Sequence, residues 1–188
     1  LALGLSSATW AQTCQTLADH PDFGGPALVD VKGGKASQTC LDELRRDPFS
    51  ARLMGLAARA LQAEGALEQA FGYASKAALL GDALAMNTLG LVYLEGGASS
   101  PNSQPDYFLA RIWFEKAGRA GMGEGFLNLA GLYREGKGVA QSDARADEYL
   151  AEAVSLGSRA AQVALSSGDL QGSFERRVAM LEALSEEN

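Results

Sequence analysis

The chain is poor in the side chains that most catalytic chemistry needs. It has one histidine in 188 residues, two cysteines and 7% aromatic residues. His20 stands beside Pro21, with no serine in an elbow motif and no carboxylate at a spacing that would position it, so no nucleophile–base pair can be drawn. Adjacent carboxylates such as Asp42 and Glu43, or Glu186 and Glu187, point in different directions along a helix or tail, which suits solvation rather than acid–base work. Cys14 and Cys40 lack CxxC spacing and His20 is the one other soft ligand, so no metal site is expected. Surplus positive charge is missing as well. With a formal net charge of −7 and a pI near 4.8, there is no basic stripe to neutralise phosphates, which disfavours nucleic acid and an anionic membrane alike. The expectation is a chain with no catalytic set, no cofactor and no metal.

What is abundant is a repeat. Hydrophobic residues make up 47% of the chain, rich in Ala and Leu, which suits an all-α core. From Gly123 to Gly157, Phe126, Leu129, Ala130 and Tyr133 put one apolar stripe on a helix, and Ala146, Tyr149, Leu150, Ala153 and Val154 put one on a second. Gly136 and Gly138 between them can turn the chain back, so the unit is a helical hairpin. The second helix recurs as Ala110, Trp113, Phe114, Lys116, Ala117, Gly118 and Gly121, and again as Ala70, Tyr73, Ala74, Lys76, Ala77, Ala78 and Gly81. Leu89, Gly90 and Tyr93 match Leu129, Ala130 and Tyr133 in the first helix, and Ala57, Ala58 and Leu61 stand there in the earliest copy. A single hairpin cannot bury both of its faces, so the repeat predicts a right-handed α-solenoid of stacked helical hairpins.

The LxxLYxEGxGVxQ core of Leu129 to Gln141, followed by AxxYLxEA at Ala146 to Ala153 and the closing Gly157, resembles a Sel-1-like repeat, a relative of the tetratricopeptide repeat. Residues 122–157 form the best copy. Residues 82–121 form a second, whose loop from Gly96 to Pro105 is longer and reads as either a binding excursion or a neutral insertion. Residues 48–81 have tetratricopeptide spacing, and 158–188 read as a degenerate repeat, with Asp169 in the aromatic position, plus a cap whose amphipathic stretch runs from Ser173 to Leu184. Tyr93, Tyr133, Tyr149, Trp113 and Asn128 match recurrent positions and read as packing. The EGKG glycines read as turn formers rather than as a phosphate loop, because Lys137 is followed by Gly138 and Val139.

Residues 1–11 read as a signal-peptide remnant with cleavage before Gln12, or else as an ordinary helix. Cys14 and Cys40 fall on two short predicted helices, around 13–18 and 35–46, joined by a loop from His20 to Gly34. An even cysteine count after an export-like start favours a disulfide; the other reading is two buried thiols. The order of Cys-helix, loop, Cys-helix and repeats is also similar to exported Sel-1-like proteins of Gram-negative bacteria. That similarity implies a periplasmic or secreted protein, with 12–47 as a pinned hairpin capping the stack.

The same resemblance implies a concave surface lined by the first helix of each unit. The outward positions then expected are Arg52 and Arg59, then Asn87, Leu91, Leu94 and Glu95, then Glu124, Leu127 and Arg134. Leucines flanked by charges suit an extended peptide or a helix. The expected function is a non-catalytic protein-interaction adaptor of the bacterial envelope, with no membrane insertion once the leader is removed. The alternative is a protein that binds cell-wall fragments or β-lactams, or hydrolyses them weakly; related chains of that kind carry a disulfide in each repeat, which units two to four here do not.

Overall fold

The computed structural model describes residues 14–18, 35–96 and 104–166. Every described element is helical: α1 (Cys14–Ala18), α2 (Lys35–Leu44), α3 (Ala51–Ala63), α4 (Leu67–Leu79), α5 (Ala83–Leu94), α6 (Tyr107–Arg119), α7 (Gly123–Glu135), α8 (Asp143–Ser155) and α9 (Arg159–Ser166). The helices start where polar caps stand. Ser50, Asp82, Asp106 and Ser142 accept bonds from the amides of Leu53, Ala85, Leu109 and Arg145, each three residues on, and Ser158 does the same for Ala161.

One turn links each hairpin to the next, and it recurs almost unchanged. Gly81 has φ of +91°, so its amide reaches back to the Ala78 carbonyl while the following Asp82 amide bonds the Ala77 carbonyl, both at 3.1 Å. Glycine stands there because the left-handed conformation is open to it and costly to others. The Met122 amide bonds Ala117 and the Ser158 amide bonds Ala153 in the same way, each at 3.0 Å. Asp82 and Ser158 then cap the next helix with their side chains. One residue thus closes one helix and opens another, which fixes how successive hairpins are set.

The expected all-α stack follows. α3 pairs with α4, α5 with α6 and α7 with α8, while each second helix packs on the next first helix and α3 also packs on α5. Small residues hold the pairs close: Ala70, Ala110 and Ala146, and Ala77, Ala117 and Ala153, are wholly buried. Phe114 fills the position that Ala74 and Leu150 occupy in the neighbouring units and is wholly buried too. It fits because Gly90 faces it: a methyl group at Gly90 would collide with the Phe114 ring. At the next seam a Cβ on Gly125 would stand 2.5 Å from the Phe114 carbonyl oxygen and the Gly118 amide.

At the N-terminal end α1 and α2 pack on one another and both pack on α3, the positions of one further hairpin. Its first helix has only five residues. Three links hold it. Cys14 and Cys40 form a disulfide with Cα atoms 4.5 Å apart, the Cys14 amide donates to Glu43 at 2.7 Å, and Arg59 Nη1 donates to the Ala18 carbonyl at 2.8 Å. At the other end α9 packs on α7 and α8 as the next first helix. The expected leader, the loop from His20 to Gly34, most of the loop from Gly96 to Pro105, and the amphipathic stretch from Ser173 to Leu184 lie outside the described residues.

A disulfide closing a loop of this size stabilises by about 3 kcal/mol in the chain-entropy model. Reduction, or the Cys14→Ser/Cys40→Ser variant, is therefore expected to lower the thermal midpoint and to release α1 first. Hydrogen exchange measured with and without dithiothreitol checks this: protection falls in 14–18 and 35–44 before it falls in 107–155.

Candidate functional site

The first-helix face is the candidate site, and the structure corrects part of it. Arg59, Asn87 and Glu124, expected to point outward, are buried, with 4%, 4% and 6% of their surface exposed. Each is turned into a seam between units. Arg59 holds the end of α1, as described above. The Asn87 carbonyl oxygen accepts from the Asn128 amide at 2.9 Å, joining α5 to α7. Glu124 accepts from the Ser158 hydroxyl at 2.9 Å, joining α7 to the start of α9. Two further bonds of the same kind, Ser37 to Glu64 at 2.7 Å and Gln62 to Glu95 at 2.6 Å, complete a polar ladder from the N-terminal hairpin to α9. Buried polar groups need such partners, because an unmet one costs about 1–3 kcal/mol.

The remaining predicted residues do reach the surface. Leu91, Leu94 and Leu127 are half-buried and pack against the core formed by α6 to α9. Glu95 is exposed, and Arg52 and Arg134 are partly so. Arg134 is steadied by the carboxylate of Asp147, 3.2 Å away and itself buried. One residue missed at the sequence stage of reasoning belongs here: Val163, 65% exposed, holds in α9 the place of Leu127 in α7. Counting from the N-caps Met122 and Ser158 gives that correspondence, but the imperfect fourth copy hid it.

Beside this face, Tyr133, Val139, Ala140, Ser142 and Arg145 line a cleft of about 360 Å³. The Arg145 guanidinium lies 5.5 Å from the Tyr133 ring centre and donates to its hydroxyl at 3.2 Å. That hydrogen bond holds the Arg145 pKa above its usual value, and burial pushes that of Tyr149 up. Tyr149 stacks between Phe126 and Tyr133, at 5.8 and 5.5 Å, so these aromatics are occupied in packing. Among the described residues no group of three or more His, Cys, Asp and Glu is placed to hold a metal ion, and no helix is long and apolar enough to cross a membrane.

The hairpin stack has counterparts among solved structures. The chain superposes on a Sel1 repeat protein from Oxalobacter formigenes with a TM-score of 0.58 over 77% of its own length, at 19% identity. It matches c5321, a protective antigen present in uropathogenic Escherichia coli strains and displaying an SLR fold, with a TM-score of 0.55 over 79% of its length, at 24% identity. The chain has the Sel1-like repeat fold. It spans 57% of the first protein and 29% of the second. No family model matches the chain, and no curated protein does. Within the Sel1-like fold, the seam bonds explain why half of the polar residues expected on the face are withdrawn from it.

Ser158 serves both as a cap and as a seam partner. Ser158→Ala is expected to cost about 2 kcal/mol, against about 1 kcal/mol for Ser142→Ala, which removes an exposed cap alone. Urea denaturation of the two variants side by side checks the difference.

Proposed function

We propose that this chain is a non-catalytic interaction scaffold that binds a protein segment, an extended peptide or a helix, along its first-helix face. The observation that carries this reading is the row of half-buried and exposed apolar side chains, Leu91, Leu94, Leu127 and Val163, with Glu95 and Arg134 beside it. Such a stripe on successive units suits a ligand that is itself linear. The polar residues of the same face are tied up in seams, so apolar contact supplies the affinity, and Glu95 and Arg134 set direction and register. We place this activity in the bacterial envelope or outside the cell. The Cys14–Cys40 disulfide supports that placement, because disulfides persist in oxidising compartments.

The test is affinity capture from a bacterial periplasmic extract, with the native chain and a Leu91→Ser/Leu127→Ser/Val163→Ser variant run in parallel. Proteins held by the native chain are expected to be lost from the variant, while its far-ultraviolet dichroism stays native and its stability falls by only about 1–3 kcal/mol in total. Identical captured sets would refute the assignment of this face.

A further inference from the structure

Turns lie at the surface and are normally polar. The turns that join the hairpins of this chain instead carry its most exposed large apolar side chains. Two residues before each first helix's N-cap stand Pro48, Leu80, Ala120 and Leu156, all exposed. Phe49 and Leu79 adjoin them at 85% and 84% exposure, with Leu80 at 61%. Stacking brings equivalent turns to the same edge, so these residues form a row apart from the first-helix face.

Cations accompany the row although the chain as a whole is acidic. Arg46 stands at the first turn, Lys76 at the second, and Lys116 and Arg119 at the third, all exposed. Lys76 lies 6.0 Å from the Tyr73 ring centre and Lys116 lies 4.3 Å from that of Trp113. The rings hold these ammonium groups in place and leave their charge intact. Arg119 is paired with Glu115, Asp47 is the acid of the first turn, and at the last turn Glu152 stands where the lysines stand before it. Favourable contact with the helix dipole explains basic residues at helix ends. It does not explain the leucines beside them.

We propose that this edge docks an acidic amphipathic helix of a partner protein. Packed helices lie about 8–10 Å apart, so successive turns are separated by about that distance, and residues seven apart on a helix are about 10.5 Å apart. A helix lying along the stack therefore meets one turn with every seventh residue. Its acidic flank faces Arg46, Lys76 and Lys116. A second copy placed edge to edge would set cation against cation, and an anionic bilayer would face a molecule of net charge −7.

The experiment is fluorescence anisotropy with a labelled helical peptide of about three heptads, apolar along one stripe and glutamate-rich beside it, and with its lysine-for-glutamate counterpart. The native chain is expected to bind the acidic peptide and not the basic one. Leu79→Glu/Leu80→Glu/Leu156→Glu is expected to weaken binding by about tenfold or more, and Lys76→Glu/Lys116→Glu to weaken it also. Leu91→Ser/Leu127→Ser on the first-helix face is expected to bind as the native chain does. No binding by the native chain, equal binding of both peptides, or no loss in either edge variant overturns the proposal. So does uptake of the native chain by phosphatidylglycerol vesicles that the leucine substitutions abolish, since a bilayer would then be the partner.

Discussion

Helices in this chain approach one another so closely that at Gly90 and Gly125 there is no room for a single added carbon. The rest of the stack depends on that approach. Phe114 can be wholly buried between units only because Gly90 yields space, and α7 can lie against the backbone of α6 only because Gly125 and Ala117 are small. Interiors packed at this density transmit any change in volume directly to the backbone. The solenoid is thus a series of matched small and large residues rather than a uniform apolar core, and the match differs at each seam.

Two further devices make the stack directional. The shared turn, in which Asp82 or Ser158 both follows a left-handed glycine and caps the next helix, sets one hairpin on another with very little chain to spare. The polar ladder through Ser37, Gln62, Asn87, Glu124 and their partners then specifies which surfaces meet. Apolar seams alone could slide. Buried hydrogen bonds penalise every register but one, because a slip would leave their groups unmet.

Periodicity made the hairpins legible, since Ala70, Ala110 and Ala146 recur in phase and each is buried where the pattern puts it. The site was only half legible, for a geometric reason. Spacing along one helix gives the angle at which a side chain leaves it, but not what the neighbouring unit places at that angle. Leu91, Leu94 and Leu127 leave toward open space and were read correctly as surface-reaching; Arg59, Asn87 and Glu124 leave toward a seam and were not. The N-terminal hairpin was legible from its cysteines, yet nothing in the spacing pointed to Arg59 as the residue that holds its short helix. The turn leucines escaped notice because turn sequences are scanned for glycine and proline, not for what surrounds them.

The central claim is that the small-to-large match between Gly90 and Phe114 holds the middle of the stack together. A double-mutant cycle tests it most directly, with Gly90→Ala, Phe114→Leu and the pair compared by urea denaturation. Alanine favours a helix by about 1 kcal/mol over glycine, so Gly90→Ala would stabilise a helix with nothing facing it. Here it is predicted to destabilise the native chain and to be tolerated once Phe114 is leucine, with a coupling energy of about 1 kcal/mol or more. Additive effects, or a stabilising Gly90→Ala, would contradict the account.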